Sequence, residues 1–295
     1  MDVSVVIVSF NTEEVLVNCL KSLKIALNDL TAEVFVVDNN SEDETVVVVK
    51  KDFPQVMLVA NHNNVGFSRA NNQALKVAKG KYVLILNPDT EVYPDTIEKM
   101  TGFLKDHSDT AIATCRVQLP DGQLDRDCRR HFPTPWRAFT HFSGLSKIFK
   151  GSKIFDQYYM GYLPDTKEHE VDSIVGAFMM IRKKDLDKIG FFDEDFFFYG
   201  EDLDLCWRAR HMGYKVFYTP ITKILHYKGV ASGMKPATRH LSRANRQSKK
   251  RALAQSVRAM QLFYQKHYQS KYPFFINWPV LLSLMILKII RVTRA

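Results

Sequence analysis

Two carboxylates, Asp89 and Glu91, follow an apolar run, Tyr82 to Leu86, that ends in Asn87 and Pro88. The run has the length and composition of a buried strand, and Pro88 cannot continue a central ladder. Asp89 and Glu91 are therefore expected at the carboxyl end of a strand, where open α/β sheets bind ligands. Carboxylates there are hard oxygen ligands suited to Mg2+ or Mn2+, which in turn hold phosphates. The competing reading is a polar turn, with Asp95 starting the next helix.

A second acidic group, Glu201, Asp202 and Asp204, stands behind the aromatic run Phe196 to Tyr199. Gly200 and Gly213 bound a segment that reads as a helix over 201–212, with Leu205, Ala209 and Met212 on its apolar face. Glu201 and Asp202 then lie in the first turn, whose positive end favours their ionised forms. The neighbouring rings would give a general base a dry wall. Plain N-terminal helix charge is the alternative. Asp204 faces Arg208 at i,i+4 and reads as a surface ion pair. His226 ends another strand segment, after a short strand at Val216 to Tyr218. A lone histidine there is ordinarily structural and gains meaning only by converging on Asp89.

These groups need elements to position them. Val3 to Val8 is a β-branched run that reads as a central strand. Glu33 to Val37 and Val56 to Val59 read as two more. Between them lie helical patterns: Leu16, Leu20, Leu23 and Leu27 after an Asn11–Glu14 capping box, a segment after a Ser41–Glu44 capping box, and a helix opened at Gly66 and running to about Lys79. Strand and helix alternate four times in about 105 residues, which predicts a mostly parallel sheet covered on both faces. Right-handed crossovers then bring the polar strand ends to one edge: Ser9, Phe10 and Asn11; Asp38 and Asn40; Asn61 and Asn64; Asn87, Asp89 and Glu91. No Gly-x-Gly-x-x-Gly or Walker sequence follows the first strand, so dinucleotide and P-loop readings lack support. Residues 116–170 read as irregular and serve either as an active-site cover or acceptor loop, or as an insertion without chemistry. A strand pair around Gly176, over Val171 to Ile181, and a short helix ending at Gly190 follow.

The 295 residues are 46% hydrophobic and 25% charged, a globular composition. The net charge of +9 favours an anionic partner, and the basic excess gathers after Lys235. No nucleic-acid-reading motif accompanies it, so nucleic acid is not expected. Cys19, Cys115, Cys128 and Cys206 show no zinc or Cys-x-x-Cys spacing; Cys19 and Cys206 read as core. The chain enters a strand at once, so no signal peptide is read and the cytoplasm is the default. The segment 273–290 is apolar but holds Asn277, Pro279 and Lys288. It reads as an interfacial or hairpin-like anchor beside a polybasic stretch, with Trp278, Lys271, Arg291 and Arg294 at the headgroup boundary. A helix docked on the protein or on a second subunit is the alternative.

Five motifs in order carry a resemblance: Val5 to Asn11, Val36 to Ser41, Asn64 to Asn72, Leu86 to Val92, and Tyr199 to Ala209. Phe263 to Tyr268 adds to them. Over residues 3–268 the chain resembles the family 2 inverting glycosyltransferases with a GT-A fold, and within them the bacterial rhamnosyltransferase-like branch. The resemblance implies a nucleotide-sugar donor, dTDP-rhamnose foremost and UDP-galactofuranose or another UDP-sugar next. Ser9, Phe10 and Asp38 would hold nucleobase and ribose, with Gly66 and Arg69 near ribose and diphosphate. Asn11, Asn40, Asn64, Asn87 and Gly176 join them as donor-side positions. Asp89 matches the last acid of the family's Asp-x-Asp metal motif, where Asn87 replaces the first. His226 matches its histidine ligand, and Glu91 would help through water. Asp202 matches the catalytic base, with Glu201 beside it.

The implied organisation is a GT-A domain over 1–235, with a nucleotide-sugar half (1–115) and an acceptor and catalytic half (116–235). A helical membrane-associating tail over 236–295 follows. The expected partners are a dTDP- or UDP-sugar, a saccharide or lipid-linked acceptor, and the anionic inner leaflet at the cytoplasmic face of the inner membrane. A homo-oligomer is compatible with the sequence. The rival classes are a nucleotidyltransferase, disfavoured by the missing Gly-rich nucleotidyl loop, and a non-catalytic saccharide-binding protein, disfavoured by the intact Asp89, Asp202 and His226.

Overall fold

The β-branched runs at the start of the chain pair as parallel strands: β1 (Val3–Ser9), β2 (Ala32–Asp38), β3 (Met57–Ala60) and β4 (Tyr82–Leu86). This is seen in a computed structural model that describes residues 1–231, 233 and 236–293. Every residue of β1 and β4 is buried, as expected for central strands covered on both faces. The connecting helices are α1 (Glu13–Ala26), α2 (Thr45–Asp52), α3 (Phe67–Leu75) and α4 (Thr96–Asp106). Register sets Ser9 beside Asp38, Asp38 beside Ala60, and Ile7 beside Leu86. The polar residues that follow these strands therefore share one edge.

The second half adds β5 (Thr90–Val92), β6 (Thr110–Gln118), β7 (His169–Val171), β8 (Phe178–Arg182) and β9 (Lys215–His226). Its helices are α5 (Pro135–Phe142), α6 (Leu145–Ile148), α7 (Lys183–Ile189) and α8 (Glu201–His211), followed by α9 (Arg246–His267) and α10 (Phe274–Thr293). Sheet order is β3-β2-β1-β4-β8-β6-β9-β5, with β7 on β9. Antiparallel pairings of β8 with β4 and β6, and of β9 with β5 and β7, interrupt an otherwise parallel sheet. This is the expected GT-A architecture, with helices flanking a predominantly parallel sheet.

Several local expectations are corrected. Neither capping box forms: Asn11 Oδ1 instead accepts from the Glu42 amide, and Ser41 Oγ accepts from the Asn11 amide, so these side chains tie two strand-end loops together. Asn11 and Asn40 adopt φ of +53° and +69°, left-handed values that asparagine tolerates. α3 stops at Leu75, four residues before Lys79. The strands flanking Gly176 do not pair with each other; β7 joins β9 and β8 joins β4. β9 runs unbroken through Pro220, with register shifts in its pairing to β6 that absorb the missing donor. Segment 116–170 begins in β6 and carries α5 and α6. Met212 is exposed rather than on the inner face of α8, where Leu205, Cys206, Trp207 and Ala209 are buried. All four cysteines are buried and free.

α9 docks on the body of the protein. His267 Nε2 lies 2.8 Å from Asp204 Oδ1, Lys266 pairs with Asp193 and Asp195, and Arg251 lies over the Phe197 ring. Asp204 is thus not half of a surface pair. It is buried between His267 and Arg208, and Arg208 also donates to the carbonyls of Ile189, Gly190 and Phe191. α10 folds back along α9: Tyr264 donates to Asn277 at 2.6 Å and Arg291 to Ser256 at 2.9 Å. α10 is long and apolar enough to cross a membrane, and none of its residues is buried. Lys235 and Arg294, counted above with the basic residues, lie outside the described residues.

Candidate active site

The donor-side edge is held by a web of side chains. Asp38 is buried, and its carboxylate accepts from the Ser41 amide (2.9 Å) and hydroxyl. Ser9, beside it in register, shares a hydrogen bond with Thr12 at 2.9 Å. Asn39 spans to the next loop, donating to Asn64 Oδ1 and the Gly66 carbonyl and accepting from the Val65 amide. Asn64 in turn accepts from the Gly66 amide at 3.0 Å. Gly66 has φ of +91°, and a Cβ there would meet the Phe197 carbonyl oxygen at 2.7 Å. That close approach lets the Phe67 amide and the Ser68 hydroxyl donate to the carbonyls of Phe197 and Phe196, docking the aromatic run on the start of α3. Arg69 is exposed and lies 3.2 Å from Glu194. Gly176 faces Phe67 at ordinary van der Waals distance.

His226 converges on Asp89. The pairing of β5 with β9 sets Thr90 opposite His226. His226 Nε2 lies 3.3 Å from Asp89 Oδ1, and its Nδ1 lies 3.1 Å from Asp125 Oδ2, all three groups being buried. Burial opposes charge on His226, yet Asp89 and Asp125 outweigh it and raise the imidazole to about 9. Burial likewise opposes charge on Asp89, and His226 overrides it, holding the carboxylate below its usual range. Glu91 accepts from the Tyr227 hydroxyl at 2.7 Å.

A chain of alternating charges leads from this pair to α8. Lys228 pairs with both Asp125 and Asp127. Asp127 lies 3.9 Å from Arg130, and Arg130 donates to Asp202 Oδ2 at 2.8 Å and to the Ile174 carbonyl. Asp202 Oδ1 accepts from the Leu203 amide at 2.7 Å. Glu201 is buried alongside with Oε2 unpartnered. Burial, and then the negative charge of Asp202, raise Glu201 to about 8, so at neutral pH it holds its proton. Arg130 thus bonds the Asp202 carboxylate, while Glu201 Oε2 beside it has no partner. Gly200 permits the turn into α8: its φ is +86°, and a Cβ would lie 2.9 Å from the Phe196 ring.

The residues fit a divalent metal. His226 Nε2 is a buried nitrogen with no hydrogen-bond partner, beside a carboxylate. Asp125 fixes the opposite ring nitrogen, which is how carboxylates orient metal-binding histidines. Among the described residues no group of three such side chains converges. Asp89 and His226 would therefore be the protein's share, with diphosphate oxygens and water completing the shell, as is usual for ions held on substrate phosphates.

Comparison with known proteins bears on what this arrangement serves. The model of Glycosyl transferase family 2 matches residues 4–190, and that of the N-terminal domain of galactosyltransferase matches residues 165–230. This chain belongs to glycosyl transferase family 2. Within that family it falls in the rhamnosyltransferase-like branch. The chain is 25% identical over 249 residues to the N-acetylglucosaminyl-diphospho-decaprenol L-rhamnosyltransferase of Mycobacterium tuberculosis, covering 81% of this chain and 80% of that protein. The mannosyltransferase PcManGT from Pyrobaculum calidifontis, solved with GDP-Man and Mn2+, superposes with a TM-score of 0.53 at 18% identity, over 99% of this chain and 86% of that one. S. aureus TarS 1-349 superposes with a TM-score of 0.53 at 17% identity, over 99% and 81%. The two structures establish the shared fold.

In this glycosyltransferase the structure gathers Asp89 with His226, joins Asp38 and Asn11 through Ser41, and sets Ser9 on Thr12 beside Asp38 in register. It pairs Arg69 and Glu91 with other groups. Sequence reasoning missed Asp125, Asp127, Arg130 and Lys228. The alternation Asp125-Arg-Asp-Cys-Arg-Arg130 was their one signal, a dense charge pattern inside a segment read as irregular.

Proposed function

We propose that this family 2 enzyme transfers a sugar with inversion from a nucleotide-sugar, foremost L-rhamnose from dTDP-rhamnose, to a saccharide or lipid-linked acceptor in cell-envelope polysaccharide synthesis. The observation that carries the reading is Asp202. It is a buried carboxylate at the start of α8, fixed by Arg130 and linked through Asp127, Lys228 and Asp125 to His226 and Asp89. The sugar assignment is supported by the likeness to the mycobacterial rhamnosyltransferase. Galactofuranosyl or other UDP-sugar transfer is the alternative within the fold; a non-catalytic saccharide-binding role is the alternative outside it.

Residues 1–115 bind the donor and 116–235 supply the acceptor side and the base. Ser9, Phe10, Asn11, Asp38, Asn40, Asn64, Gly66, Arg69, Asn87 and Gly176 serve the nucleotide-sugar. Asp89 and His226, helped by Glu91 through water, would hold a Mg2+ or Mn2+ ion. When bound, that ion supplies charge neutralisation on the departing nucleoside diphosphate. Asp202 takes the proton of the acceptor hydroxyl as its oxygen attacks the anomeric carbon on the face opposite the leaving group. Arg130 holds the Asp202 carboxylate in place. Glu201, raised to about 8 chiefly by burial, holds its proton at pH 7. The tail meets the anionic inner leaflet, with the enzyme on the cytoplasmic face of the inner membrane. The apolar α10, none of whose residues is buried, supports this.

The test is nucleoside diphosphate release by purified protein, with Mg2+ or Mn2+, from dTDP-rhamnose, UDP-galactofuranose, UDP-galactose, UDP-glucose and GDP-mannose. Metal-dependent release from one donor, abolished by Asp202→Asn, is the expected result. If acceptor is needed for release, donor binding still identifies the sugar. Failure to bind any nucleotide-sugar would refute the reading.

A further inference from the structure

The segment between Arg130 and Tyr159 carries a second exposed apolar surface, separate in sequence from α10. Trp136, Phe139, Phe142, Ile148, Phe149 and Ile154 are each between 45% and 73% exposed. A run of large apolar side chains this exposed marks an interaction surface rather than scattered solvent-facing residues. Trp136, Phe149 and Phe155 stack into a cluster, Trp136 to Phe155 at 6.0 Å and Phe149 to Phe155 at 4.8 Å, so the face is built rather than frayed. The Trp136 indole donates to the Ile154 carbonyl at 3.1 Å, pinning the start of α5 to the turns that follow α6.

Charge identifies the occupant. Lys147, Lys150 and Lys153 are exposed and interleaved with these residues, and among the described residues none of the three pairs with a carboxylate. Large apolar and aromatic side chains beside unpaired lysines match the boundary between acyl chains and anionic headgroups. The insertion also begins next to the tail. Phe132, just before α5, packs on Trp207 at 4.8 Å, and Lys271, in the α9–α10 turn, lies over the same Trp207 ring at 4.5 Å.

We infer that the α5–α6 insertion is a second bilayer-contacting element, which inserts Trp136, Phe139, Phe142, Ile148 and Phe149 among anionic phospholipids. The inference does not depend on the membrane reading of α10. Its consequence for catalysis is positional. One end of the insertion is Arg130, which holds Asp202, and the other is Tyr158 and Tyr159, whose phenols lie by Arg130 and Asp127. Seating the insertion in the headgroup layer fixes the height of the catalytic carboxylate above the membrane.

The three tryptophans permit a direct test, because Trp207 is buried while Trp136 and Trp278 are exposed on different elements. Full-length Trp278→Phe and Trp136→Phe proteins would be mixed with phosphatidylglycerol vesicles whose acyl chains are brominated. The double variant, retaining Trp207 alone, gives the baseline. The inference predicts that Trp278→Phe floats with the vesicles and loses emission well beyond that baseline. It also predicts that Phe139→Ser/Ile148→Ser/Phe149→Ser weakens vesicle binding by roughly tenfold or more while circular dichroism stays unchanged. Flotation of Trp278→Phe without quenching, or its failure to float, overturns the inference. Quenching confined to Trp136→Phe would leave α10 as the lone anchor, and quenching in neither variant would remove both membrane readings.

Discussion

Replacing Glu201 with Gln tests the electrostatics of the site without removing bulk. In the folded protein Glu201 is raised from 4.5 to about 8, first by burial and then by the Asp202 charge. The folded state therefore keeps a proton that the unfolded chain releases above pH 4.5. Stability from this group is complete below pH 4.5 and is lost as pH rises through 8. The whole shift corresponds to roughly 5 kcal/mol, and half of it still gives about 2 kcal/mol. Gln carries no charge at any pH, so Glu201→Gln should match the parent near pH 4.5 and become progressively more stable up to pH 8.5, by about 2 kcal/mol or more. Urea unfolding in detergent, followed by tryptophan emission at four pH values, reads this difference; titrating groups away from Glu201 cancel between the two proteins. A difference that stays constant with pH would refute the reasoning, and one that shrinks as pH rises would reverse its sign.

Removing the guanidinium in Arg130→Met leaves the buried Asp202 uncompensated and should destabilise by about 3–5 kcal/mol in urea unfolding. Adding Asp202→Asn should restore most of that loss, because the orphaned charge is gone. Gly66→Ala places a Cβ against the Phe197 carbonyl at a φ of +91°, so it should cost more than about 1 kcal/mol and weaken nucleotide-sugar binding in calorimetry. Asp125→Asn keeps the bond geometry at His226 but weakens its orientation. Mn2+ affinity in the presence of nucleoside diphosphate, measured by electron paramagnetic resonance, should fall roughly 10–100-fold.

What the sequence made legible follows from periodicity and strand ends. The first four strands announce themselves because each is a short β-branched or apolar run closed by polar residues, and parallel crossovers leave those residues no other edge to occupy. Asp89 and Asp202 were readable for the same reason, each standing where an element begins or stops. The second half was less legible because its pairings are non-local. β7 and β8 are neighbours in sequence yet join different strands, and nothing in Val171 to Ile181 encodes which. The caps failed because Asn11 and Ser41 found better partners across the strand-end loops than in their own helices. Asp125, Asp127, Arg130 and Lys228 escaped because no fixed spacing joins them. Three lie in the loop after β6 and one just beyond β9, and only the fold brings them into line.

The most direct test of the central claim is a kinetic split on Asp202→Asn with its donor and acceptor. The account predicts that the catalytic rate falls by about a hundredfold to ten-thousandfold while nucleotide-sugar affinity is unchanged, since Asp202 acts on the acceptor proton and not on the donor. Full activity in the variant, or a loss of donor binding that matches the loss of rate, would contradict it.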